Sequence, residues 1–415
     1  MKRYSEYKDS GVKWIGEIPG HWKIVRLKFV TENLDYLREP ISAELRERKN
    51  PQYDYYGASG IIDKIDHYNV DDKVLLIGED GANLLMRNLP LVYRAEGKFW
   101  VNNHAHILKT RLNDYSFFAH LLESQDYTLF VTGTAQPKLS QFNLGNVPLP
   151  ISPINEQKIM GKYLDSKVAK IDEYISIAEK KIAALEELKQ TIIAEAVTRG
   201  IHKDVPMKDS GVKWIGEIPG HWDLKRTAML FSENRKKNIN YEFDHALKFN
   251  YGKLVSKNEI GDVSSLKETY MAYTIINKND IAINCLNLNY DFVSQRVAIS
   301  PQKGIITSAY LIITPRQGVE AMYYNYLFKA MDSKKLFHGM GTGIRLTLSF
   351  SELKKQQIPV PLLSEQQEIV TYIEEKVANI NQLCQAERSQ IEKLKEYKQR
   401  LISDVVTGKV KVTND

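Results

Sequence analysis

The fifteen residues KDSGVKWIGEIPGHW at positions 8–22 recur without a change at positions 208–222, 200 residues further along the chain. Self-similarity of this kind makes the chain a tandem duplication, and its fold follows from what surrounds the two copies. The halves also end alike. Asn155-Glu156-Gln157 opens a helical run to Thr198, and Ser364-Glu365-Gln366 opens one to Thr407. At a constant offset of 209, Tyr163/Tyr372, Lys167/Lys376, Ile171/Ile380, Ile182/Ile391, Leu185/Leu394, Ile193/Ile402 and Thr198/Thr407 coincide. Between these repeats, residues 23–147 and 223–358 share little beyond a Gly-Thr pair (Gly133-Thr134, Gly341-Thr342) and a Pro-x-Pro exit (Pro148/Pro150, Pro359/Pro361). Similar frames around dissimilar inserts indicate two modules that do one kind of job on different targets.

In the first helical run Leu164, Val168, Ile171, Ile175, Ala178, Ile182, Leu185, Leu188, Ile192 and Ala196 follow spacings of three and four, which is an apolar seam. The second run places Ile373, Val377, Ile380, Cys384, Glu387, Ile391, Leu394, Tyr397, Leu401 and Val405 at the equivalent positions. About 42 residues at 1.5 Å each make a helix of roughly 63 Å, too long to hide inside a domain of this size. Each run therefore needs a partner along its length, and the other run has the matching length. An intramolecular coiled coil acting as a spacer is the expected arrangement. Residues 151–200 and 362–411 each hold eight Lys+Arg and eight Asp+Glu, so neither arm is a basic DNA-wrapping helix. The net charge of +6 must then sit on the variable modules, where phosphate contacts are wanted.

A chain of 415 residues, 43% hydrophobic and 26% charged, has room for two or three domains with real cores. No run of 18 apolar residues occurs, which excludes a membrane-spanning helix. Residues 1–9 lack an apolar stretch behind their charges, so no signal peptide is expected. Cys285 and Cys384 stand far apart, which fits a reducing compartment, and the expected location is cytoplasmic.

Within the first module, residues 73–77, 91–94 and 105–108 read as strands and 115–130 as a helix. Within the second, 280–283, 296–299 and 309–313 read as strands and 319–334 as a helix. Each module is thus a small mixed α/β domain, and the chain as a whole is of α+β class. The division expected is 1–150 and 207–361 for the modules, and 151–206 and 362–415 for the helical arms. Loop residues with aromatic, amide or cationic side chains are the candidates for touching DNA. In the first module these are Tyr55, Tyr56, Ser59, Arg87, Gln136 and Lys138. In the second they are Asn287, Asn289, Tyr290, Thr342 and Arg345.

Catalytic patterns are sparse. No Walker loop is present, so nucleotide hydrolysis has no phosphate cradle. Asn50-Pro51-Gln52-Tyr53 resembles the Asn-Pro-Pro-Tyr motif of adenine methyltransferases but lacks its second proline, and a surface turn is expected. Asp80 with Glu96-Gly97-Lys98 mimics the carboxylate–lysine spacing of Mg-dependent nucleases, although Gly97 reads as a turn. His104 and His106 would share one strand face as a zinc pair does, yet no third ligand is near and a structural role is expected. No catalytic or metal-ligating residue is therefore assigned.

The order of these features, doubled, resembles the specificity (S) subunit of type I restriction-modification systems over essentially the full chain. The resemblance rests on WIGEIPGHW (14–22 and 214–222), GTAQPKL (133–139), FWVNNHAH (99–106), Gly343-Ile344-Arg345, and the Pro-x-Pro and Glu-Gln that open each long helix. It implies that each module is a target recognition domain for one half of a split site in double-stranded DNA. It further implies that the arms form an antiparallel coiled coil that fixes the spacer. Two methylation (M) subunits would bind the chain, and two restriction (R) subunits would join the full complex. S-adenosylmethionine, ATP and Mg would belong to those partners, with no cofactor on this chain. The second Gly-Thr turn lacks the Ala-Gln-Pro-Lys continuation, so its contacts do not follow from the first. Two other classes stand beside this one: a stand-alone DNA-modifying enzyme, either a nuclease or an adenine methyltransferase, and a coiled-coil scaffold with no DNA role.

Overall fold

The computed structural model describes residues 2–46, 51–257, 266–341, 343 and 346–412. The chain forms two compact units, one made of residues 1–178 with 388–415 and the other of residues 179–387. Each long arm therefore contributes to both units. The folded unit is a module together with the start of one arm and the end of the other.

The first unit is built on a six-stranded sheet. Its strands are ordered Thr31–Asn33, Ala105–Thr110, Val70–Gly78, Val92–Val101, Tyr53–Gly57 and Gly60–Ile65. All neighbours are antiparallel except Tyr53–Gly57 beside Val92–Val101. Side chains alternate across a strand, and here both faces are covered. Leu75, Ile77 and Leu108 pack with Phe117, Phe118 and Leu121 of the helix Tyr115–Glu123, and with the arms. Val74, Leu76 and Ile107 fill a second core with Leu34, Phe99 and Val101.

Two expectations from the sequence change here. The helix ends at Glu123 rather than at residue 130, because side chains satisfy its last carbonyls: Gln125 donates to Leu121 over 2.6 Å and Tyr127 donates to Leu122 over 2.9 Å. Gly97 is no turn. It lies inside the strand Val92–Val101, paired with Asp72.

The second unit repeats the plan with shorter strands. Its sheet is ordered Phe231–Glu233, Leu311–Pro315, Ile281–Ile283 and Val297–Ile299, and every neighbour is antiparallel. Ile281, Ile283 and Ile313 face the helix Ala321–Ser333, while Ala282, Ala298 and Ile312 face a second core shared with Leu247, Leu254 and Ile306.

Both modules leave and rejoin their frames through paired strands. Lys23–Arg26 runs antiparallel to Pro148–Ile151, and Asp223–Arg226 to Gln357–Val360. The Pro-x-Pro exits are thus edge strands, where the missing amide hydrogens cost nothing. Since entrance and exit are adjacent, each insert is a cassette.

The arms are the helices Ile154–Arg199 and Leu363–Val406, of 46 and 44 residues, or about 69 and 66 Å. In the first unit Leu164 and Ile171 pack with Leu401, Ile402 and Val405. In the second, Ile193, Ala196 and Val197 pack with Ile369 and Ile373. Early positions on one arm meet late positions on the other within each unit, so the arms are antiparallel. The seam departs from the expected one at equivalent places: Leu188 and Tyr397 face solvent, and Lys189 and Lys398 stand at the inner positions instead. Beyond the half-buried Leu185 and Leu394 the seam takes in Ile193 and Ile402, buried beside the expected Ala196, Leu401 and Val405. Runs of three and four can be ordered differently over the same five turns of a helix with 3.6 residues per turn.

Candidate nucleic-acid interface

The repeated sequences form one clasp per unit. Trp22 and Trp222 are both fully buried. Trp22 donates its indole N–H to Glu156 over 3.1 Å, and Trp222 donates to Glu365 over 2.9 Å. His21 lies 2.7 Å from Glu156 and His221 lies 3.0 Å from Glu365. The adjacent glutamines tie the module to the arm. Gln157 accepts the Asp114 amide (3.0 Å) and donates to the Ser152 carbonyl (2.8 Å); Gln366 accepts the Glu320 amide (2.9 Å) and donates to Pro361 (2.9 Å). Burial raises the Glu156 carboxyl, but His21, Trp22 and Tyr4 together hold it below its usual range. The clasp is structural, and it explains why opening repeat and helix start recur together.

Possible reading surfaces lie at the loop ends of each sheet. In the first unit, Gly78 closes a strand where only glycine fits: a Cβ there would sit 2.8 Å from the Ala58 carbonyl. That approach brings the tight turn Ala58–Ser59 over the strand end, with Ser59 exposed. The next residue, Glu79, is buried and takes Arg38 and, at 3.1 Å, Lys138. Burial pushes its carboxyl up, and the two cations more than reverse this. Gly133 holds a left-handed φ of 83° against the Gln136 carbonyl, which sets Gln136 at an exposed tip beside Lys138. Ser59, Gln136 and Lys138 thus gather at one end of the sheet.

The other candidates of this module do not. Tyr55 is 1% exposed, packed with Ile65 and Trp100, and Tyr56 is buried edge-on to Phe99. Neither ring can reach a ligand. The Arg87 guanidinium is turned inward, donating to the Glu123 and Gln125 carbonyls (3.1 Å for the latter).

In the second unit Asn287 and Tyr290 are exposed on the loop of residues 284–296, while the Asn289 Oδ1 is buried. Thr342 and Arg345 lie outside the described residues. Sequence reading missed the organiser of this loop, the buried Arg296, and its exposed Phe292 and Val293. The dense local pattern Tyr290-Asp291-Phe292-Val293 was the available hint.

No catalytic constellation assembles on the nuclease-like residues. Glu96 stands opposite Lys73, bridged to it at 2.9 Å, and Asp80 is seven residues further along, about 23 Å at strand spacing. Asp80 instead meets His104 at 2.8 Å. His106 points away from His104: it is enclosed between Asp35 (2.6 Å) and the Leu139 carbonyl (2.7 Å). The shared face expected for the two rings is absent, because His104 precedes the strand Ala105–Thr110. Among the described residues no cluster of three His, Cys, Asp or Glu could hold a metal ion. Asn50 of the methyltransferase-like stretch lies outside the described residues, and Tyr53 is in a strand, edge-on to Tyr68.

Residues 19–187 and, again, residues 207–393 match the family described as type I restriction modification DNA specificity domain. The chain belongs to this family. This specificity chain is 34% identical over 154 residues to the putative type I restriction enzyme specificity subunit S.HindORF215P of Haemophilus influenzae. That match spans 37% of the chain and only 38% of the relative. With the MjaVIII specificity subunit of Methanocaldococcus jannaschii it shares 23% identity over 441 residues, spanning 98% of both. A chain from a solved assembly of a type I R-M system superposes with a TM-score of 0.66 at 15% identity, covering 95% of this chain and 99% of that one. At such identity the likeness is one of fold: two modules with paired long helices. Within the specificity chain, then, the framed inserts differ in sequence while the clasp and arms are common to both halves.

Proposed function

We propose that each module reads one half of a bipartite site in double-stranded DNA, and that the arms fix the unread spacer. The observation that carries this reading is the pairing of one frame with two different sets of exposed loop residues: Ser59, Gln136 and Lys138 in one unit, Asn287 and Tyr290 in the other. Identical frames give a common mechanical role, and different loops give different bases. The arms carry two methylation subunits, and two restriction subunits complete the assembly. The chain itself does no chemistry. S-adenosylmethionine, ATP and Mg act on the partners, and the complex works in the cytoplasm. The relatives' description as specificity subunits and the dispersal of Asp80, Glu96 and Lys98 support this over a stand-alone enzyme.

Mapping DNA methylation in a host carrying the chain and its methylation subunit tests the reading. A split adenine motif is expected, and exchange of residues 23–147 for another family member's module should alter one half of it alone. An unsplit motif, or turnover of DNA by the purified chain with Mg²⁺ or S-adenosylmethionine, would overturn it.

A further inference from the structure

The loop of residues 284–296 is built around one enclosed guanidinium. Arg296 is 0% exposed. Its Nη1 donates to the carbonyls of Asn284 (3.1 Å) and Leu286 (2.6 Å), and its Nη2 to those of Asp291 (2.7 Å) and Asn287 (3.4 Å). Its backbone N–H donates to Asp332 over 2.8 Å. A buried charge is costly unless it is paired and hydrogen-bonded; here four loop carbonyls take both Nη groups and the Asp291 carboxylate lies 3.5 Å from Nη2, while the Nε–H has no partner. The Asp291 carboxylate then accepts the amides of Ser294 (2.9 Å) and Val293 (3.1 Å), and these bonds lower its pKa to about 2. Such a loop holds its outer side chains in place before any ligand arrives.

What it presents is apolar. Tyr290 is 80% and Val293 92% exposed, and Phe292 lies between them, stacked on His338 at 4.7 Å between ring centres. Leaving such side chains in water is unfavourable, so a fixed apolar tip needs an occupant. The hairpin of Leu247–Asn250 and Lys253–Ser256 abuts this loop, since a Cβ on Gly252 would collide with Gln295. It adds Tyr251, 89% exposed, and Lys253. Lys253 lies near Lys329, whose amine is lowered to about 8, first by burial and then by the Lys253 charge. Among the described residues no carboxylate pairs with either lysine. The charge of the chain points the same way. Residues 201–361 hold 22 Lys+Arg against 15 Asp+Glu, whereas residues 1–150 hold 19 of each. The basic excess expected on both modules therefore falls on the second alone.

We propose that Tyr290, Phe292 and Val293 form an apolar reading tip that meets thymine 5-methyl groups in the major groove, with Lys253 on an adjacent backbone phosphate. This rests on the reading that the second module binds duplex DNA. An apolar tip alone would also suit a protein partner. Unpaired lysine charge beside it selects a polyanion, and the thymine methyl is the apolar group that a major-groove edge offers.

The experiment uses the full chain co-purified with its methylation subunit. Selection from a randomised duplex pool first defines the two half-sites. Duplexes carrying deoxyuridine for thymidine, one position at a time on either strand, are then titrated. For the wild-type chain, loss of a methyl in the second module's half-site should weaken binding about fourfold, the worth of one buried methyl group. Val293→Ser and Tyr290→Ser should remove that sensitivity and relax the selected bases in that half-site only. Val293→Ser changes a side chain that touches almost nothing in the unit, so misfolding does not confound it. Lys253→Gln should weaken all sequences alike and reduce the salt dependence by about one counterion. Wild-type binding indifferent to every deoxyuridine, or serine variants with an unchanged motif and response, would overturn the tip while leaving the bipartite reading intact. Serine variants that lose the methylation subunit but keep the motif would overturn it in favour of a protein contact. A wild-type complex that selects no motif overturns both readings.

Discussion

The Lys398 ammonium lies 2.6 Å from the Asp172 carboxylate on the opposite arm, and its duplicate Lys189 meets Asn381, the duplicate of Asp172, at 3.2 Å. The two lysines are half-buried at the seam and their partners stand exposed beside it, and each lysine finds its partner on the other arm only when the arms run antiparallel in one register. Polar residues at seam positions commonly fix register at some cost in stability. The first unit thus holds an ion pair between the arms where the second holds an ammonium–amide hydrogen bond, with Lys189 also paired to Glu186 on its own helix. Asn381→Asp should add about 0.3–1 kcal/mol to the second unit at low salt, and Asp172→Asn should remove a similar amount from the first. Thermal unfolding at low salt and in 1 M salt checks this, since salt should erase both effects.

The tryptophan clasps should differ in fragility. Glu156 is held by Tyr4, His21 and Trp22, whereas Glu365 is held by His221 and Trp222. Trp222→Phe should cost about 2 kcal/mol, because it empties space and leaves a buried carboxylate oxygen with one donor fewer. That corresponds to roughly 4–8 °C in the unfolding midpoint of a unit this size. Trp22→Phe should cost less. Equal losses by calorimetry would show that the extra Tyr4 contact contributes nothing.

The first unit should weaken on mild acidification through His120. Burial lowers the pKa of this imidazole, and the 2.8 Å contact with Asp165 only partly offsets that, with the Arg94 charge adding to the lowering. A depressed folded pKa means that the unfolded chain takes the proton first. The stability is therefore present above about pH 6.5 and is lost as pH falls through the folded value. His120→Gln should flatten the loss between pH 7.5 and 5.5, measured by denaturant titration. Asp35, Glu79 and Asp165, all held below their usual range, add further losses only in more acid solution. Glu123, whose carboxyl burial raises, runs the opposite way and is common to both proteins compared. An unchanged pH slope in the variant would rule His120 out.

A lengthened arm should lengthen the spacer only if both helices grow together. Lys181 and Glu387 face each other at 2.5 Å, so an insertion after Lys181 alone would slip every later contact of the pair. Four residues inserted after Lys181 and four after Glu387 add about one turn, or ~6 Å, and nearly keep the seam. At 3.4 Å per base pair, the methylated motif should gain one or two unread pairs with both half-sites unchanged. Sequencing the methylome of the variant shows whether the gap or the bases moved. An unaltered gap would mean that the arms are not the ruler.

The duplicated stretch at residues 8–22 and the offset of 209 between the arms were sufficient for two like units and a pair of long helices, because repetition and helical period are properties of sequence alone. The short strands around residues 73–77 and 105–108 were equally legible from their apolar runs. Which side chains reach the surface was not. Tyr55 and Tyr56 are consecutive, so a strand sends them to opposite faces, and one would be exposed if only one face were covered. Both are buried because the sheet is covered on both sides, by parts of the chain far away in sequence. Arg296 was legible only as the start of the expected strand 296–299, and its enclosure was not, since the carbonyls that take its Nη groups become neighbours only when the loop closes. Sequence determined the repeats, the helices and the kind of protein. Tyr290 was among the residues the sequence pointed to, but the exposure of Phe292 and Val293 beside it, and the burial of Tyr55 and Tyr56, were decided by tertiary structure, because burial depends on how the folded chain packs around each residue.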